Sequence, residues 1–193
     1  MKKLFIAFFI GISFLVVNSF SDKKIVEKPI DKNLKVAYFA GGCFWGVEHH
    51  FEKKKGVKDA ISGYMGGWVE DPDYYEVVRG KTGHVETVKI VYDPKLVSFE
   101  ELTKLFFEIH DPEQKDGQGP DIGSQYLSGI FYHNEQEKQT AQKVIDILTS
   151  KGYDVATSLV EVSPFYTAEG YHQNYYAKTG KTPYCHIYKK IFD

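Results

Sequence analysis

The chain has two cysteines, and the first, Cys43, stands where a thiol could react. It follows Gly41-Gly42 and precedes Phe44-Trp45-Gly46, between an apolar run at 35–40 and a helical pattern at 47–54 that ends near Gly56. Paired glycines let the chain turn sharply. The unpaired N–H groups and positive dipole end of the helix favour a thiolate there. Phe44 and Trp45 offer a wall to an apolar ligand group. Three chemistries fit these residue types. One is thiol redox chemistry, with Cys43 attacking and Cys185 resolving. Another is papain-like acyl transfer, with His172 as base and Asn174 as the orienting amide. The third is a metal or binding site from Cys43, His49, His50, His84 and Cys185. Adjacent histidines on a helix point apart and no Cys-x-x-Cys spacing exists, so no metal is expected. Against all three stands burial as a small apolar side chain, the usual fate of a free cysteine.

A second signal lies at 84–94. Alternation puts Val88, Ile90 and Tyr92 on one strand face, and Glu86 shares their parity. A carboxyl aimed with the apolar face is either sheltered, and so kept protonated, or escapes to solvent at the sheet rim. The surrounding elements follow from periodicity and punctuation. Strands are predicted at 35–40, 57–64, 126–132 and 155–162. The stretch 69–83, rich in glycine and in Asp71-Pro72-Asp73, is predicted to be a surface loop, as is 113–123. Ser98 and Glu101 make a capping box for a helix with Leu102, Leu105, Phe106 and Ile109 as its buried stripe, and His110 suits the dipole at its end. Asn134 and Glu137 repeat the pattern for a helix at 135–151, with Ala141, Val144, Ile145 and Leu148 inward. Thr167 caps a predicted last helix at 168–178. Several strands are joined without room for a crossover helix. An α+β fold with a mixed, largely antiparallel sheet is therefore expected.

The chain has 193 residues, 14 Tyr, 14 Phe and a net charge of −2. That suits one domain with a packed core and shows no nucleic-acid footprint. Lys2-Lys3, the apolar run at 4–17 and the small residues ending at Ser19 have the layout of a bacterial-type signal peptide, residues 1–19, either cleaved after Ser19 or kept as an anchor. Residues 20–34 read as a linker and 35–193 as the domain. Export places the protein in the periplasm or at the cell surface, with no stable membrane contact once the signal is removed.

Gly42-Cys43-Phe44-Trp45-Gly46 with Glu48, Ser62-Gly63-Tyr64, Pro72-x-Tyr74, Gly83-His84-Val85-Glu86, Val91-Tyr92-Asp93-Pro94, Asp121-Ile122-Gly123-Ser124-Gln125-Tyr126 and Tyr171-His172-Gln173 together resemble the peptide methionine sulfoxide reductase A family across 35–178. The resemblance implies a ferredoxin-like α+β sandwich with an irregular C-terminal tail, acting as a monomer without a cofactor. It implies Cys43 as nucleophile, Glu86 as the acid that protonates the sulfoxide oxygen, and Tyr74 and Tyr126 as hydrogen-bond donors to that oxygen. Phe44 and Trp45 would hold the substrate methyl group, and Asp121 would sit in a polar network near the acid. The substrate would be the S epimer of methionine sulfoxide in oxidised proteins and peptides. The product would be methionine and a Cys43 sulfenic acid. Cys185 would resolve it, and a thioredoxin-like donor would reduce the disulfide. The alternative is direct reduction by an external thiol with Cys185 inert. This tail departs from members with two cysteines in a glycine-rich segment and resembles those with one. His84 and His172 are read as structural.

Overall fold

The computed structural model describes residues 29–192, so the apolar run at 4–17 and its cleavage site lie outside the described residues. In chain order come β1 (Lys35–Gly41), α1 (Phe44–Glu52), β2 (Val57–Met65), α2 (Tyr74–Val78), β3 (Val85–Tyr92) and α3 (Phe99–Ile109). A small hairpin of β4 (Gly117–Gln118) and β5 (Asp121–Ile122) follows, then β6 (Ser128–Tyr132), α4 (Glu135–Ser150), β7 (Ser158–Glu161), β8 (Tyr166–Thr167) and α5 (Tyr175–Thr179). The main sheet is six-stranded in the order β7-β6-β1-β3-β2-β8. Among the described strands only β6 and β7 pair in parallel, and α4 supplies the crossover that such a pair needs. The other neighbours are antiparallel. The central order β6-β1-β3-β2 is the interleaved pattern of a ferredoxin-like sandwich, so the expected α+β class is borne out.

Strand parity divides the interior. Ala37 and Phe39 on β1, with Val88, Ile90 and Tyr92 on β3, face the helices, where Phe39 stacks on Phe51 at 5.1 Å and packs against Phe106 at 5.2 Å. Ala40, Met65 and Phe131 form a smaller cluster on the opposite face, beneath Tyr38 and Phe165. At α3, Ser98 and Glu101 close the predicted reciprocal cap, with Leu102, Phe106 and Ile109 buried. At α4, Asn134 accepts from the Glu137 N–H, but the Glu137 carboxylate turns to the N–H and ring of His133, so only half of the box forms.

Four local expectations give way to tertiary structure. The 69–83 segment contains α2, opened by a capping box of Asp73 and Glu76 within the stretch predicted as loop. Tyr126 ends a 3-10 turn, Ser124–Tyr126, ahead of the strand. His110 is a neutral core residue and no cation: burial pushes its pKa down to about 3. Its Nδ1 donates to the Phe106 carbonyl at 2.6 Å, so Nε2 accepts from Ser128 Oγ at 2.9 Å. The predicted helix at 168–178 survives only as α5. The Gln173 side chain is occupied as a backbone mimic, accepting from the Ser62 N–H and donating to the Ser62 and Ala168 carbonyls. Asn174 takes a left-handed turn at φ 53. Those tertiary bonds outcompete the helix.

Candidate active site

Cys43 is the residue before the first turn of α1, and the glycines ahead of it are there for space. Gly42 has φ +89, and a Cβ on it would run into the Gln118 side chain; one on Gly41 would lie 2.8 Å from the Phe106 ring. The corner therefore packs against α3 and the β4–β5 hairpin at once. The Phe44 N–H donates to Glu86 Oε2 at 2.9 Å. Helix start and strand start are thus tied through one carboxyl.

Glu86 is 2 % exposed on β3, with the parity of Val88 and Ile90, so the sheltered reading holds over the rim reading. Burial first, and then the nearby Cys43 charge, raise its pKa well above the carboxylate range, while the Phe44 amide opposes them. Cys43 departs from the sequence expectation. Its hydrogen bond with Cys185, burial and the charge of Cys185 raise its pKa, and the Trp45 amide pulls the other way. The helix end does not produce a thiolate in the resting site, because the sulfur is dry and shares its surroundings with a second thiol and a carboxylate. Cys43 Sγ, Cys185 Sγ and an Asp121 oxygen all lie within 4.8 Å of one another.

The two tyrosines converge on the same space. Burial and then the Glu86 charge raise the pKa of Tyr74, with Tyr126 and Cys43 adding to it. Tyr126 is pushed up to about 12 by burial, then by Glu86, Asp121 and Cys43. Both are hydroxyl donors at neutral pH. The Tyr184 hydroxyl donates to both Asp121 oxygens, at 3.3 and 3.1 Å, so the tail's own tyrosine is a polar partner of Asp121. Phe44 is buried against Tyr64 and His172, with ring centroids 5.9 and 4.9 Å away. Trp45 is half-buried, stacks on Tyr175 at 3.7 Å and donates from Nε1 to His172 Nδ1 at 3.0 Å.

That last bond disposes of the papain-like arrangement. With Nδ1 accepting from Trp45, the His172 proton sits on Nε2, which faces Glu169 Oε2 at 3.8 Å, and burial pushes the ring's pKa down to about 3. Asn174 gives its backbone N–H to Glu48 Oε2 at 2.9 Å. Neither orients a base toward Cys43. His84 braces the loop after β2: its Nδ1 accepts from the Gly67 N–H and its Nε2 donates to the Val69 carbonyl. His50 donates to the His186 carbonyl, and His49 contacts Lys53 on the helix surface.

Sequence reasoning missed three residues. Glu169 accepts from the Tyr74 N–H and the Tyr64 hydroxyl, both at 2.9 Å, and so fixes the start of α2. Tyr184 and His186 hold the tail at Asp121 and at the Gly41 carbonyl. The tail lacks regular structure but is pinned again at its end, where the Ile191 and Phe192 N–H groups donate to Glu108. No periodic pattern marks any of these residues; the signal available was the density of Tyr and His around Cys185.

A sequence model described as PMSR, peptide methionine sulfoxide reductase, matches residues 35–192. The chain is 44% identical over 165 residues to a protein of Rhodopirellula baltica named peptide methionine sulfoxide reductase MsrA 1, covering 85% of this chain and 86% of that one. Its fold is similar to that of Mxr1 from Saccharomyces cerevisiae in reduced form, with a TM-score of 0.77, 34% identity, and 83% and 96% of the two chains covered. Mxr1 in complex with Trx2 is more distant, at a TM-score of 0.56 and 25% identity over 84% of this chain and 95% of that one.

Proposed function

The chain belongs to the peptide methionine sulfoxide reductase family, and on that premise we infer that it reduces methionine sulfoxide in oxidised proteins and peptides, with thioredoxin as its reductant. The observation that carries the chemistry is the buried Glu86, hydrogen-bonded to the amide that follows Cys43. A sulfoxide is polar at oxygen and apolar at its methyl group. Cys43 attacks the sulfur, and the sulfoxide oxygen, gaining a proton from Glu86 and hydrogen bonds from Tyr74 and Tyr126, passes to Cys43. Methionine leaves and Cys43 becomes a sulfenic acid. Trp45, backed by Phe44, takes the substrate methyl group, and Asp121 sets the local charge. The atoms balance: the sulfoxide is reduced, Cys43 is oxidised, and the proton the Cys43 thiol loses on attack restores the acid form of Glu86, with no other reagent.

Cys185 resolves the sulfenic acid, releasing water and forming a disulfide that thioredoxin reduces. The proximity of the two sulfurs supports this reading over an inert thiol. The S epimer, a monomer free of the membrane and export through the N-terminal segment complete the proposal.

The test is turnover of a peptide carrying each sulfoxide epimer, with thioredoxin, thioredoxin reductase and NADPH, while methionine formation and peptide cleavage are followed together. Methionine from the S epimer with an intact peptide is expected. Cys185→Ser should release one methionine per protein and then stall with thioredoxin. Undiminished turnover by that variant would leave Cys185 without the resolving role.

A further inference from the structure

Resolution, on the reading above, requires the Cys185 thiol to give up a proton inside the fold. Its nearest partner is a ring nitrogen: His186 Nδ1 lies 3.0 Å from Cys185 Sγ. His186 Nε2 lies 2.6 Å from the Gly41 carbonyl oxygen. A carbonyl only accepts, so the ring proton is on Nε2 and Nδ1 turns a lone pair to the thiol. The imidazole is 2 % exposed, whereas Ile187 next to it is 78 % exposed. It seats where Gly46 leaves room; a Cβ on Gly46 would collide with Nδ1. The carbonyl beneath it belongs to the glycine corner that carries Cys43, so one ring aligns the second thiol with the first. Burial lowers its pKa to about 4, which keeps Nδ1 free to accept at neutral pH.

We propose that His186 is the general base of the resolving step, taking the Cys185 proton through Nδ1 while its Nε2–H stays bonded to Gly41. As the Cys185 Sγ–Cys43 Sγ bond forms, the Cys43 S–O bond breaks and the thiol proton moves to Nδ1. The hydroxide that departs then takes that proton back and leaves as water. Cys185 is oxidised, the Cys43 sulfenic acid is reduced to disulfide, and the histidine ends neutral. This rests on Cys185 being the resolving thiol.

The titratable groups that face His186 are Cys185 on the tail, His50 on α1, Asp121 on β5 and His110 after α3. All are common to wild type and to His186 variants, so a difference between the proteins isolates the ring. The experiment is rapid-quench single turnover of the reduced protein with a methionine sulfoxide peptide between about pH 6 and about pH 9, scored by mass spectrometry for methionine, sulfenic acid and disulfide. Wild type, His186→Gln, His186→Asn and Cys185→Ser are compared. The glutamine keeps an amide donor within reach of Gly41 but cannot take up a proton. In both His186 variants, disulfide formation should lag methionine release by at least about tenfold near pH 6 and approach wild type near pH 9, where solvent hydroxide can take the thiol proton in place of the ring. Wild-type disulfide formation near pH 6 in either variant would overturn the proposal. So would a slowing that is the same at every pH, the mark of a peg and not a base. Normal thioredoxin-driven turnover by Cys185→Ser would remove the resolving thiol itself, and this role with it.

Discussion

Glu86 holds its proton because the group is dry, and any negative charge that develops on Cys43 beside it reinforces that. Its pKa in the fold is raised, so the acid form persists above the ordinary carboxylate range and is lost as pH climbs through the raised value. Methionine release in a single turnover should therefore fall on the alkaline side. Glu86→Gln should slow release by roughly 10²- to 10³-fold and erase that alkaline fall, because the amide neither donates nor loses a proton. Release by the variant at the wild-type rate would take the acid role away from Glu86. The carboxyl's direction was readable from the parity of 86, 88, 90 and 92. Its partner, the Phe44 amide, was not, because that bond joins segments the sequence leaves apart.

At the scale of elements, the site is a set of termini brought together: the start of α1, the start of β3, the start of α2 and the hairpin β4–β5. The α2 start depends on Glu169, whose two oxygens accept from the Tyr74 N–H and from the fully buried Tyr64 hydroxyl. Glu169→Ala strands both donors, so it should cost about 2–4 kcal/mol in denaturant unfolding. The same change should slow methionine release about tenfold as Tyr74 loses its placement. The alkaline fall set by Glu86 should remain. An unaltered unfolding midpoint would show that α2 stands without this carboxylate. The long elements, α3 and α4 among them, were legible from their caps and apolar stripes. The short α2 was legible only in principle: Asp73 and Glu76 have capping-box spacing, but the surrounding Pro and Gly pointed to a loop. The turns at 168–174 were not legible, because Glu169, Gln173 and Asn174 follow tertiary partners and no local periodicity.

Over the described residues as a whole, the buried acid Glu48 sits outside the chemistry. Glu48 is 1 % exposed, and burial raises its pKa to about 8, opposed by the Asn174 amide it accepts from. A raised folded pKa means that its contribution to stability is complete below the unfolded value of about 4.3 and is lost as pH rises through about 8. Glu48→Gln should therefore flatten the fall in Tm between about pH 5 and pH 9, standing roughly 5 °C above wild type at the upper end. Parallel Tm curves would show that Glu48 is not the group responsible.

Residue chemistry and local period were enough, from the sequence alone, to mark the Cys43 corner, the inward Glu86, the strands and long helices, and the α+β class. Those features depend on neighbours a few positions apart. Only the packed chain decided that Cys185 lies beside Cys43, that His172 is tied up by Trp45, and that the Cys43 thiol keeps its proton despite a helix end. Each of these is a matter of distance and dryness between distant segments. Desolvation and contact arise when layers close on one another, and no spacing along the chain encodes them directly.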